Sequence, residues 1–352
     1  MKFNDRKVKN KGMLQRTHFI FYIEGTSYKS MYEVMLRELM CMDSVTVVFD
    51  EPQNNLIKRF LLKDKIQYIT NGLIDSFGYE KNNLYHEIEK QCAINNHVVV
   101  CFFNGALNYN KYLAGTLKTY KSKWDNLSFV LYYLDIINCA VSKNAYYLQR
   151  KKVFDRIYTV DPSDALKYSI RFWPIPYSID KQFSNIVNNY DMYFCGVSKG
   201  RSELLLHSLQ NSVEHGVKTA MDIICYNDSA NYYEYKKMIN IRTPEQYLSY
   251  PAVLKNELSA NCILEIVQKG QVALTLRPYE AVVYNKKLLT NNKTILSFKY
   301  YNPRYMHYFE KIEDIDWNWV ARKEKVNYEY EGDFSPIYLL QDISENLYQD
   351  RI

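Results

Sequence analysis

The sequence predicts an α/β protein of two domains, each a parallel sheet with helical crossovers. Three observations carry this. Segments with strand and helix patterns alternate from Thr17 onward, as they do in sheets whose neighbouring strands are joined by helices. The stretch FWPIPYSID (172–180) holds both Pro174 and Pro176 and interrupts the alternation near mid-chain, after which it restarts. Finally, 352 residues exceed the size at which one hydrophobic core usually stops growing.

In the first half, the apolar, β-branched runs HFIFYIE (18–24), VTVVFD (45–50), HVVVCFF (97–103), FVLYYL (129–134) and RIYTV (156–160) read as strands. Between the first two, Met31, Val34, Met35 and Leu39 share one face of a helix over 30–40. The Pro-rich stretch reads as an extended link, since proline removes a backbone donor and restricts its predecessor. Beyond it, 192–196 reads as a strand, 201–215 as a helix, 217–226 as a strand and 244–258 as a helix. Ser335-Pro336 pairs a cap with a first-turn proline and opens a last helix. The domain plan is a basic tail over 1–16, a first domain over 17–175, a second over 176–330 and a C-terminal helix within 331–352. Two such domains imply a cleft, with ligands outside the carboxyl ends of the strands.

Charge and cysteine usage narrow the function classes. The first 16 residues hold six Lys or Arg against Asp5, so that +5 of the net +6 lies there and the other 336 residues sum to +1. A nearly neutral body does not predict a nucleic-acid-binding fold, whose footprint is a basic stripe. The basic tail does suit weak peripheral contact with an anionic membrane. Seven widely spaced cysteines with no CxxC read as reduced thiols of a cytoplasmic protein. Six scattered histidines offer no HxH or HExxH, so no histidine-based metal site is expected. No apolar run approaches 18 residues, so neither a membrane span nor export is expected. Tyrosine, at 34 copies to 16 of phenylalanine, reads either as composition bias or as a wet cleft or interface.

Residues 261–292, NCILEIVQKGQVALTLRPYEAVVYNKKLLTNN, set two strand patterns around a polar turn and a short helix. Thr275 is placed to cap that helix and Pro278 lies in its first turn. A helix start fed by the Gly270 turn favours an anion such as a diphosphate, because unpaired amides and the helix dipole both point at it. Glu280, a turn further in, is placed to accept bonds from a pair of ribose hydroxyls. The bland alternative is a capped connection whose acid answers the dipole.

The blocks VFDRIYTVDPSDALKYSIRFWPIPYS, MYFCGVSKGRSELL and CILEIVQKGQVALTLRPYEAVVYNKKLLTNN occur in that order between about residues 129 and 300. Together they resemble bacterial glycosyltransferases of lipopolysaccharide-core and capsule polysaccharide biosynthesis, of the GT-B type. The resemblance implies two Rossmann-like domains in GT-B architecture, with an interdomain cleft and a C-terminal helix. It implies metal-independent transfer from a nucleotide-sugar donor, held mainly by the second domain, to a saccharide or lipid-linked acceptor held by the first. The nucleotide sugar is a substrate, and no cofactor is implied. Glu280 looks like the ribose-binding acid, Thr275, Arg277 and Gly270 like the diphosphate-facing turn, and Gly196, Lys199 and Arg201 like groups facing the cleft after the first strand of the second domain. One departure is Ala273, where the family keeps a glycine. The general base falls to Asp135, at the end of FVLYYL, or Glu24, at the end of the first strand, since proton removal needs a carboxylate or imidazole on the acceptor side. Asp161 reads as a helix cap, and Asp314-Ile315-Asp316, despite its DxD spacing, reads the same way. Two other functions remain open: a nucleotide-sugar epimerase or hydrolase on the same scaffold, and a non-catalytic saccharide- or nucleotide-binding protein.

Overall fold

The computed structural model describes residues 17–24, 29–50, 83–103, 113–135, 137, 153–184, 186–198, 200–225, 238–243, 246–268 and 270–349. Two compact units make up the chain, one of Met1–Pro174 with Pro336–Ile352, the other of Ile175–Ser335.

The first unit is built on β1 (Thr17–Glu24), β2 (Val45–Asp50), β3 (His97–Phe103), β4 (Leu127–Tyr133), β5 (Arg156–Thr159) and β6 (Arg171–Phe172). They form one sheet in the order β2-β1-β3-β4-β5-β6, parallel at every pairing. Every residue of β3 and β4 is buried, as expected of central strands covered on both faces. Packed around the sheet are α1 (Lys29–Met35), α2 (Arg37–Met40), α3 (Asn83–Ile94), α4 (Leu113–Lys123) and α5 (Pro162–Tyr168). The helix expected over 30–40 is thus two, parted at Leu36, whose φ of −107° and ψ of 16° leave helical geometry. Asp161 caps α5, its side chain accepting from the Asp164 amide at 2.8 Å.

The second unit repeats the plan with β7 (Tyr190–Val197), α6 (Ser202–Glu214), β8 (Thr219–Ile224), β9 (Ile239–Arg242), α7 (Tyr250–Leu258), β10 (Ala260–Glu265), α8 (Leu276–Val283), β11 (Lys287–Thr290), β12 (Met306–Tyr308) and α9 (Trp317–Ala321). Its parallel sheet runs β12-β11-β10-β7-β8-β9, the mirror listing of the 3-2-1-4-5-6 dinucleotide-binding order. Strand order reverses between β7 and β10, which are hydrogen-bonded neighbours. The first sheet reverses between β1 and β3. Asp316 caps α9, accepting from Trp319 N at 3.0 Å, so this half of the DxD spacing is a helix start.

Two sequence expectations change at this level. The final helix, α10 (Pro336–Gln349), belongs to the first unit. There Asp342 accepts from Tyr158 Oη at 2.9 Å and pairs with the Arg171 guanidinium at 2.8 and 2.5 Å. Secondly, tyrosine serves the core: Tyr132, Tyr133, Tyr158, Tyr177 and Tyr193 are among the largest fully buried side chains. Each ring fills space while its hydroxyl needs an inward partner; Tyr132, for instance, donates to the Pro174 carbonyl at 2.9 Å. Among the described residues no helix is long and apolar enough to cross a membrane.

Candidate functional site

The switch point of the second sheet gathers most of the described residues singled out in that half. β7 delivers Gly196 and, just past its end, Arg201; β10 ends at Glu265; the turn through Gly270 leads to Thr275 and α8. Gly270 has φ of 85°, a left-handed conformation that a side chain would strain. Across it, the Gln268 carbonyl accepts from Gln271 N at 3.0 Å. Lys199 lies outside the described residues.

Thr275 joins two elements. Its Oγ1 accepts from Arg277 N at 3.1 Å, capping α8, and donates to Glu265 Oε1. Thr290 Oγ1, at the end of β11, donates to Glu265 Oε2 at 2.5 Å. Glu265 is fully enclosed, and burial raises its pKa against the pull of the two hydroxyls and of Arg277. Of the first-turn amides of α8, Arg277 N is taken by the cap and Pro278 has none, so Leu276 N–H is the one left to meet a ligand. Ala273 has negative φ, since it is absent from the left-handed residues of the described chain. Its carbonyl is held by Asn292 Nδ2 at 3.1 Å, so the departure from glycine there costs no backbone strain.

The guanidinium groups of the two arginines are held by acceptors within the second unit. The Arg201 guanidinium donates to the carbonyls of Ile266 and Val197, with Nε 3.3 Å from that of Ser198. The reason is local: the chain turns away after β7 and β10, and carbonyls at both strand ends need donors. Burial lowers the Arg201 pKa while Glu265 opposes the shift. A Cβ at Gly196 would crowd Phe194 Cζ at 3.0 Å and stand at ordinary contact distance, 3.6 Å, from Arg201 Nη2.

Arg277 likewise points inward. Its Nη1 donates to Glu257 Oε2 at 2.8 Å and to Glu280 Oε2 at 2.7 Å, and Nη2 lies 3.3 Å from the Cys195 carbonyl. Nε is 2.7 Å from Glu257 Oε1, an ion-pair contact outside hydrogen-bond geometry, so that Oε1 has no directed donor. Burial works against the guanidinium charge, but Glu257 and Glu280 together hold its pKa well above the usual value. Glu280 is 0% exposed, with Oε1 accepting from Tyr250 Oη. Tyr250 in turn meets Tyr177 Oη at 2.9 Å. The sequence singles out Arg277 and Glu280 but not their buried neighbour Glu257, which burial pushes well up in pKa despite Arg277. No signal near Glu257 announces it, because its partner is 20 residues further along.

In the first unit, Glu24 is the last residue of β1, at that sheet's switch point, paired in register with Asp50; its side chain lies outside the described part. Asp135 is exposed, two residues past β4. Its loop is pinned just beyond by Ile137 N, which donates to Asp164 Oδ2 at 2.6 Å. Burial raises the Asp164 pKa against that bond. Among the described residues no group of three or more His, Cys, Asp or Glu is arranged to hold a metal ion.

Parallel α/β sheets of these orders make two Rossmann-like domains, the GT-B fold class. No family model matches the chain, and no curated protein is similar to it in sequence. Solved structures are similar in fold. An α-glucosyltransferase in complex with UDP-glucose and DNA containing an abasic site shares 10% identity over 94% of this chain and 99% of that one, with a TM-score of 0.57. A glycosyltransferase from Rickettsia africae shares 10% identity over 94% of this chain and 99% of that one, at 0.51. TarM shares 11% identity over 76% of this chain but 58% of its own, at 0.47, so this chain spans little over half of TarM's length. At these identities the likeness is one of fold.

Proposed function

We propose that the chain is a glycosyltransferase that moves a sugar from a nucleotide-sugar donor to a saccharide or lipid-linked acceptor in cell-surface polysaccharide biosynthesis. The observation that carries this reading is the placement of the Thr275-capped start of α8 at the switch point of a Rossmann-ordered sheet, with Glu280 one turn inside it. Ligands of such sheets bind outside the carboxyl ends at the point where strand order reverses. The α-glucosyltransferase of similar fold carries UDP-glucose, which supports a nucleotide sugar as donor.

In this reading the diphosphate meets the α8 dipole, Leu276 N–H and the Gly270 turn, with Lys199, just past β7 in sequence, supplying a positive charge. Arg201 and Arg277 act one layer back by fixing the two strand ends and Glu280. Fixed dipoles of this kind stabilise a departing diphosphate without a metal. The acceptor is assigned to the first unit, with Asp135 and Glu24 as general-base candidates. The basic residues of 1–16 supply peripheral attraction to anionic lipid, and the nearly neutral remainder favours a saccharide over the DNA seen with the α-glucosyltransferase.

A panel of nucleotide sugars, each offered with saccharide, lipid-linked and DNA acceptors, tests the proposal by product analysis. Diphosphate release that depends on a saccharide or lipid-linked acceptor is the expected result. Release independent of any acceptor points to the hydrolase reading, and binding without turnover of any nucleotide sugar to the non-catalytic one.

A further inference from the structure

The second unit buries a side-chain cluster that the donor reading uses only in part. Tyr250 and Glu257 lie seven residues apart on α7, and Arg277 and Glu280 three apart on α8, spacings that put each pair on one helix face. The two faces meet as two fully buried carboxylates around one guanidinium. Glu280 has no exposed surface, so meeting a ribose requires its carboxylate to turn outward, away from Tyr250, Arg277 or both. An arginine left alone in such a place is strongly unfavourable, because a buried charge needs a partner.

We propose that Glu257 is a positioning residue of the donor site, the standing counter-ion that holds Arg277 while Glu280 turns to the ribose hydroxyls. The inference rests on the donor reading above. Glu257 meets Arg277 at two points, Nε at 2.7 Å and Nη1 at 2.8 Å, whereas Glu280 shares only Nη1. Release of Glu280 therefore leaves the Nη1 hydrogen bond to Glu257 and the close Nε contact in place, and the Nη2 contact to the Cys195 carbonyl keeps the guanidinium against β7. Without Glu257, Glu280 becomes the sole counter-ion and is locked on Arg277. The charged and titratable groups around Glu257 are Arg277 and Glu280 on α8, Tyr250 on its own helix, Tyr177 in the extended stretch before β7 and Cys195 on β7. Of these Arg277 is the one cation.

Calorimetry separates this from a merely structural role. UDP, GDP, ADP and CDP are titrated into the wild-type protein, and the tightest is compared with its 2′-deoxy counterpart. A ribose hydroxyl bonded to a carboxylate gives the wild type a preference of about tenfold or more for the ribonucleotide. In E257A that ratio falls to about one, while a partly unfolded sample would lower the stoichiometry and leave the ratio intact. If E257A does not fold, E257Q decides, since it keeps the shape and an acceptor but not the charge, and the ratio should fall at least about threefold. A folded variant that keeps the wild-type ratio overturns the inference. A wild type that binds no nucleoside diphosphate, or does not distinguish the two sugars, instead overturns the donor-site reading itself.

Discussion

Glu265 ends β10 with a hydroxyl on each carboxylate oxygen, Thr275 on one and Thr290 on the other. Its burial raises the folded pKa above the 4.5 of a free side chain. A carboxyl shifted in that direction stabilises the fold below 4.5 and loses that contribution as pH rises through the folded value. Denaturant titrations of the wild type and E265Q at a series of pH values from about 4.5 to 8 should therefore show wild-type stability falling relative to the variant. A constant difference would mean that Glu265 is not held in this way. The same residue shows what could be read from the chain. Thr275 and Pro278 announce a helix start because capping involves atoms only two or three positions apart. The inward aim of Arg201 and Arg277 also rests on acceptors 20 to 82 positions away, Ile266 for the first and Glu257 and Cys195 for the second, and local spacing carries no trace of those.

At the scale of elements, α8 depends on one side chain that serves both helix and strand. Replacing Thr275 by alanine removes the cap, at about 1 kcal/mol, and deprives Glu265 of a donor, at about 1.5 kcal/mol or more. T275S retains both bonds and should unfold within about 0.5 kcal/mol of the wild type, because serine and threonine cap almost equally well. Urea unfolding distinguishes the two, and equal losses would show that the hydroxyl is not the linking group. Strands with sustained apolar, β-branched runs were legible: 45–50 and 97–103 match β2 and β3 to the residue. β6, β9 and β12 were not, being two to four residues long and largely exposed or half-buried. Runs that short show neither alternation nor a sustained apolar stretch.

For the whole molecule, the restart of alternation after the paired prolines marks two units, and the structure divides the chain between Pro174 and Ile175. The return of α10 to the first unit was not legible, since its anchor joins Asp342 to Arg171 and Tyr158 across more than 170 positions. The link itself is no loose tether: Ile175, Tyr177 and Ser178 are buried, and Tyr177 N donates to the Phe334 carbonyl at 2.7 Å. The central claim is that the switch point of the second sheet holds the nucleotide. Amide hydrogen exchange read along the entire chain, with and without a saturating nucleoside diphosphate, tests it directly. Protection concentrated in 195–201 and 265–283 is the predicted result. Protection confined to the first unit, or no change anywhere, would contradict it.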